Sequence, residues 1–203
     1  MTETIVETPR TARPGPSGPS LPATPSPHAG PSGPTVLSGP TESSVDRETF
    51  RRTLAAHAAG VVVITAQNEG VPVGLTATSF SSVSLDPPLV SFYVDRHSTT
   101  WPGLRAADHF AVNILAGDQA ELASRFARKG IDRFAEPTRW RPGRLGAPLL
   151  RDVSAHLICL PHRAIEVGDH ILVVGLVAEA VANGPDRPLL YHQGRFGRFS
   201  VHP

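Results

Sequence analysis

By polarity alone the chain divides near residue 45: the first 44 positions hold almost no large apolar side chain, and beyond them apolar residues recur at helix or strand spacing. DRETFRRTLAAHA (46–58) sets an acidic first turn ahead of Phe50 and Leu54, with His57 or Ala58 completing the face, which predicts a short helix opening at Asp46. GVVVITA (60–66) is a β-branched run bounded by Gly and by QNEG, the mark of a buried strand and a turn. VPVGLTATSF (71–80) alternates and predicts the second arm of a hairpin. A polar serine run, a double proline expected to stand outside any sheet ladder, and a strand over 89–94 follow.

STTWPGLRAA reads as a helix start, with Ser98, Thr99 or Thr100 as cap and Pro102 in the first turn. HFAVNIL (109–115) is a strand. In GDQAELASRFARKG, Asp118 and Glu121 form a D-x-x-E capping pattern, and Leu122 and Phe126 share a face, predicting another helix. The last third reads as strands again: VSAHLICL, then HRAIEV, a Gly168-Asp169 turn, HILVVGLVAEAV, an NGPDRP loop and PLLYHQ. Two or three short helices thus interrupt six or seven strands joined mostly by hairpin-length turns. This predicts a mainly β fold, an antiparallel barrel with appended helices, and not a βαβ sheet.

Composition sharpens the boundary. Ten of the 21 prolines and five of the 18 glycines fall in residues 1–44, so that stretch is expected to be a disordered Pro/Gly/Ser-rich tail, and residues 45–203 a single domain with a real core. The net charge of +1, with 17 basic against 15 acidic side chains in the domain, argues against nucleic acid or an anionic membrane as the main partner. No apolar run reaches the ~18 residues of a helical span. The amino terminus lacks the basic and apolar regions of a secretory signal. Cys159, the only cysteine, excludes an internal disulfide. The expectation is a cytoplasmic protein.

No dinucleotide-binding G-x-G-x-x-G, Walker loop, H-E-x-x-H or nucleophile elbow is present. His156, Cys159 and His162 look like a metal set, but strand period puts the histidines on one side and Cys159 on the other, so no metal site is expected. Thr76, Thr78, Ser79, Ser81, Ser82 and Ser84 crowd into nine positions, and Ser98, Thr99 and Thr100 follow at a helix start. Such hydroxyls either cap and fill a loop or, with Arg96 and Arg125, bind a phosphate. His170, at the tip of a hairpin, is either a solvent-exposed strand-end residue or a group at the barrel mouth.

VPVGLTATSFSSVSLDPPLVSFYV, HSTTW, FAVNIL, SRFARKGIDRF, GDHILVVGLV and PLLYHQGRF, in this order between about Phe50 and Phe199, resemble the flavin reductase family with the FMN-binding split-barrel fold. That resemblance implies NADH- or NADPH-dependent reduction of FMN or FAD, delivery of reduced flavin to a separate flavin-dependent monooxygenase, and a homodimer with flavin near the subunit junction. It also implies that Thr78, Ser79, Phe80, Ser81 and Ser84 wrap the flavin, that Ser98, Thr99, Thr100 and Trp101 follow its phosphate, and that Arg125 and Phe126 close over it. His170 with Tyr191, Gly194, Arg195 and Phe196 would meet the nicotinamide, His170 being the candidate catalytic group. Gln193 stands where many relatives have arginine, and Arg195 follows the glycine instead, which leaves NADH and NADPH both open. A flavin-binding split barrel that carries or senses flavin without turnover is the alternative.

Overall fold

The computed structural model describes residues 45–183 and 187–200. The expected tail (1–44), residues 184–186 of the NGPDRP loop and the last three residues lie outside the described residues.

Helix α1 (Arg47–Leu54) opens as the sequence predicts, with the Asp46 side chain accepting from Thr49 N at 2.9 Å. None of its residues is buried: Phe50 and Leu54 stay 56% and 54% exposed. Their apolar face therefore meets open space, and that space belongs to the cleft described below. Strand β1 (Ala59–Gly60) leads into β2 (Val62–Asn68), which pairs antiparallel with β3 (Val71–Ala77). The two connecting residues, Glu69 and Gly70, both have positive φ, the geometry that matches strand twist in a two-residue hairpin. Val62, Ile64 and Ala66 enter one core cluster, while Val61 and Val63 enter another, so the β-branched run is buried on both faces.

The serine run is not a loop. It forms strand β4 (Ser81–Leu85), and Pro88 opens its partner β5 (Pro88–Asp95) opposite Leu85. An edge strand tolerates such polar residues, and the first position of a strand tolerates a proline without its N–H. Helix α2 (Trp101–Ala106) carries Pro102 in its first turn, and no side chain caps it. Strand β6 (Phe110–Ile114) precedes helix α3 (Ala120–Ala127). The expected Asp118/Glu121 box does not form either. Gln119 occupies the cap position, its Oε1 accepting from Ala116 N and its Nε2 donating to the Arg151 carbonyl, both at 3.0 Å.

Strands β7 (Trp140–Pro142) and β8 (Pro148–Leu150) make a small ribbon that the sequence pattern does not announce. Strands β9 (Ala155–Val167) and β10 (His170–Ala182) form a long hairpin closed by Gly168 and Asp169. VSAHLICL and HRAIEV are thus one strand. It runs through Pro161 because β6 covers the other edge of β9 only up to Cys159, and because the register slips where Pro161 meets Gly175. Strands β11 (Leu189–His192) and β12 (Arg195–Arg198) close on Gln193 and Gly194, again both at positive φ, and pair with β1.

Seven strands build one antiparallel sheet in the order β3-β2-β6-β9-β10-β5-β4. It curls around Phe92, Phe110, Val112, Ile64 and Val173 without closing, the open edge arrangement of a split barrel. The Phe92 and Phe110 rings meet edge to face at 5.5 Å in its centre. Cys159 is fully buried there, and burial pushes its thiol up to about 12, so it behaves as an inert apolar residue. His156 is also buried. Its Nε2 lies 2.8 Å from the Leu150 carbonyl and its Nδ1 3.1 Å from Asn183 Nδ2, so both ring nitrogens are engaged by the fold.

Candidate active site

The end of β3, the end of β5, the turn before α2, the last turn of α3 and the start of β10 converge on an open cleft of about 740 Å³. That volume lies within the range of small-molecule and cofactor sites. Its floor is apolar, from Leu75, Ala77, Val94 and Phe126, and Phe50 and Leu54 of α1 line it too. Hydroxyls from two separate chain segments line the same space: Thr76 near the end of β3 with Thr78 and Ser79 just after it, and Ser98, Thr99 and Thr100 before α2. Two of these hydroxyls also hold the frame. Ser79 Oγ accepts from Tyr93 N at 2.9 Å, tying the end of the hydroxyl-rich segment to β5, and Thr76 Oγ1 donates to the Ala123 carbonyl at 2.6 Å, tying β3 to α3.

Lys129 and Arg133 bring positive charge to this cleft, against one lining carboxylate, Asp95. Arg133 is the more telling. Its Nη1 donates to the Gly74 carbonyl at 2.8 Å and to Thr100 Oγ1 at 2.7 Å, and its Nε donates to the Arg128 carbonyl at 2.9 Å. Burial makes its charged form harder to hold than in water, and none of its hydrogen-bond partners is a carboxylate. A partly desolvated cation with only neutral partners is an arrangement that an anionic ligand stabilises. His170 also lines the cleft, and its Nδ1 lies 2.7 Å from Asp169 Oδ1. That hydrogen bond, with the attraction to the imidazole, holds the Asp169 carboxyl below the usual carboxylate range. With Nδ1 anchored, Nε2 is the ring nitrogen left for a ligand.

Of the residues singled out from the sequence, the structure gathers Thr78, Ser79, Ser98, Thr99, Thr100, Phe126 and His170 around this one cleft. The others lie elsewhere. Phe80 and Trp101 pack against the main core, and Ser81 and Ser84 sit on the edge strand β4. Arg125 turns away from the cleft: its guanidinium donates to the carbonyls of Asp132, Arg133, Ala135 and Glu136 at 3.0 to 3.3 Å, and so folds the segment that carries Arg133. Tyr191, Gly194, Arg195 and Phe196 form the β11–β12 hairpin, with the Tyr191 and Phe196 rings 5.3 Å apart, and none of the four lines the cleft. The hairpin tip touches the end of α1, where Gln193 N donates to the Ala55 carbonyl at 3.2 Å. Sequence reasoning missed Arg133, Lys129, Tyr93 and the α1 pair. The one available signal was Arg133 in SRFARKGIDRF, eight residues past Arg125 in the same block.

An open antiparallel barrel that carries a hydroxyl-lined, cationic cleft of this size is a split barrel with room for a small-molecule ligand. The chain belongs to the flavin reductase like domain family, which matches residues 54–200. It is 42% identical to the NADH:FMN oxidoreductase of Rhodococcus qingshengii over 153 residues, 73% of this chain and 80% of that protein. It is 36% identical over 157 residues to the reductase subunit HsaB of a flavin-dependent monooxygenase from Mycobacterium tuberculosis (strain CDC 1551 / Oshkosh), covering 76% of this chain and 83% of the relative. Among solved structures, the NADH:FAD oxidoreductase SgcE6 of Streptomyces globisporus C-1027, in complex with NAD and FAD fragments, superposes with a TM-score of 0.72 at 38% identity. That match covers 76% of this chain and 93% of the other.

Proposed function

We propose that this protein is an NAD(P)H:flavin oxidoreductase that passes hydride from a nicotinamide to FMN or FAD and supplies the reduced flavin to a separate flavin-dependent monooxygenase. The single observation that carries the reading is Arg133, a half-buried cation without a carboxylate partner, facing a cleft already lined by six serine and threonine hydroxyls and an apolar floor. That set suits the flavin itself: an apolar ring, a polyol chain rich in hydroxyls, and a phosphate. The relatives' names, NADH:FMN oxidoreductase and monooxygenase reductase subunit, support the same activity.

When bound, flavin and nicotinamide supply the redox chemistry between them, and the protein supplies position and electrostatics. Leu75, Val94 and Phe126 give the ring an apolar bed and exclude water from one of its faces. Thr78 and Ser79, with the backbone beside them, address its polar edge and side chain. Ser98, Thr99 and Thr100 with Arg133 hold the phosphate, Arg133 taking the part expected of Arg125. Asp169 fixes His170, which orients the nicotinamide across the cleft and stabilises charge as it develops.

Residues 45–203 are proposed as the unit sufficient for activity, since the family match lies wholly inside them. A homodimer fits the exposed apolar side chains on β5 and β9, either side of β10: Tyr93, Ile165 and Val167 are 42%, 37% and 48% exposed, and Tyr93 and Val167 also line the cleft. A second copy would cover them and complete the site's rim. A cytoplasmic location suits an enzyme drawing on NAD(P)H. Anaerobic addition of nicotinamide to the flavin-loaded protein tests the reading, as set out at the end of the Discussion.

A further inference from the structure

Another large cavity, of about 670 Å³, shares no lining residue with the cleft that carries His170. The two lie at opposite ends of β10. His170 opens that strand of 13 residues and Asn183, which lines the other cavity, follows its last, about 40 Å further along an extended chain. Four arginines from separate segments line this space: Arg141 on β7, Arg151 after β8, Arg187 before β11 and Arg198 on β12. The domain as a whole is nearly balanced, with 17 basic against 15 acidic side chains, so the concentration of charge is local. Two carboxylates accompany the arginines, and Asp152 is already salt-bridged to Arg139, which does not line the cavity. Among the described residues none of the four guanidinium groups is paired with a carboxylate. The fold draws two of them to one loop. Arg198 Nε donates to the Gly117 carbonyl at 3.0 Å, and Gly117 N donates to the Arg187 carbonyl at 2.7 Å. A Cβ on Gly117 would lie 3.1 Å from both that carbonyl and Arg198 Cγ, so the close approach depends on glycine. His156 adds no counter-charge: its ring nitrogens are engaged with Leu150 and Asn183, and burial holds its pKa down.

We propose that this arginine-lined cavity is a second binding site, for a small polyanion with two or more phosphate or carboxylate groups, and that it works independently of the flavin cleft. Like charges gathered in a concave space repel one another and concentrate counter-ions, so a bound anion relieves a cost the empty site carries. The planar guanidinium matches the paired oxygens of phosphate and carboxylate alike. Four such groups face one uncommitted carboxylate, Asp118, an excess that a single monovalent anion does not balance. The ligand is therefore polyvalent. The cavity is of small-molecule size, and its concave wall suits a compact ion better than a flat protein face. The site does not rest on the flavin reading, since Arg141, Arg151, Arg187 and Arg198 take no part in the other cleft.

The test is calorimetric titration of the full chain with inorganic pyrophosphate and, separately, with citrate, at constant ionic strength. The wild type is compared with Arg141→Gln, Arg187→Gln and the double variant. The wild type is expected to bind at least one of the two anions, and the double variant to bind it at least about tenfold more weakly, the scale of one lost charge-assisted hydrogen bond. Affinity for FMN should stay at the wild-type value in all three variants, and excess FMN should leave the anion Kd unchanged. Binding of pyrophosphate alone assigns the site to phosphates, binding of citrate alone to carboxylates, and binding of both to compact polyanions in general; each upholds the proposal. A wild type that binds neither anion overturns it, as does an affinity that the double variant leaves untouched. An anion displaced by FMN also overturns it, because the anion then sits at Arg133. If FMN itself does not bind the wild type, the flavin reading fails, while the anion site still stands or falls by the arginine variants.

Discussion

Arg133 and Thr100 are 33 positions apart in the chain and 2.7 Å apart in the fold, Nη1 donating to Oγ1 at the meeting point of α2, β3 and the segment after α3. Thr100, one of three residues the sequence offers as the cap of α2, occupies the cap position but makes no side-chain cap. Its hydroxyl instead accepts from a cation that has no carboxylate partner.

That pair should be decisive for flavin affinity. Charge-assisted hydrogen bonds contribute about 1.5–3 kcal/mol, so Arg133→Ala is expected to weaken flavin binding by roughly tenfold to a hundredfold. Arg133→Lys should fall between, because it keeps the charge and loses the planar guanidinium whose Nη1 serves Gly74 and Thr100 while Nε and Nη2 hold the Arg128 carbonyl. Fluorescence titration reads both. Retention of full affinity in Arg133→Ala would remove this residue from the site.

His170 should act on the nicotinamide side. His170→Ala is expected to raise KM for NADH by about tenfold, the scale of one or two lost hydrogen bonds, and to do so by more than it raises the flavin Kd. Asp169→Asn keeps an acceptor at Nδ1 but loses the charge, so a smaller rise in the same parameter is expected. If the double variant is no worse than His170→Ala alone, Asp169 acts through the histidine. Strict additivity would mean that it does not.

Stability should depend on pH through His156. Burial is the main cause of its lowered pKa, with the Arg141 charge adding to it, and the Leu150 carbonyl opposes the shift. The folded protein therefore binds fewer protons than the unfolded chain just below the ordinary imidazole value of 6.5, and stability falls as pH falls through that window. Asp46 and Asp169 also have lowered pKa values, but their contribution is lost only below the carboxylate value of 3.8, so the two ranges separate. Thermal melts from about pH 7 to about pH 5 should show a falling Tm in the wild type and a flatter profile in His156→Gln. Parallel profiles would discount the residue.

Among the described glycines, Gly175 leaves the least room for a side chain. A Cβ there would lie 2.3 Å from Phe110 Cζ and 3.1 Å from Cys159 Cβ, and the Phe110 ring is itself held against Phe92. Gly175→Ala should destabilise the fold by about 1–3 kcal/mol, visible as a lower urea midpoint, and an unchanged midpoint would show that the ring gives way freely.

Local signals were legible in the sequence where one residue type decides the geometry. Asp46 as a cap, the turn at Glu69-Gly70 and the long hairpin around Gly168-Asp169 are of this kind. The strand through Pro161 was not legible, because proline ordinarily ends a ladder and only the position of β6 shows that its missing N–H is not needed. Nor could the sequence choose between Arg125 and Arg133. Both lie in one basic block, and only the fold shows that the first donates to the loop carbonyls while the second faces the cleft. Residues that meet across long chain separations, such as Phe50 and His170 at the cleft, carry no local pattern that pairs them.

The central claim is tested most directly by anaerobic spectroscopy. Protein loaded with FAD or FMN is mixed with NADH or NADPH without oxygen, and the flavin absorbance near 450 nm is followed. A flavin reductase bleaches within a turnover time in the wild type and far more slowly in His170→Ala. Flavin that stays bound and yellow in excess NADH and NADPH would contradict the assignment and mark the protein as a flavin carrier or sensor.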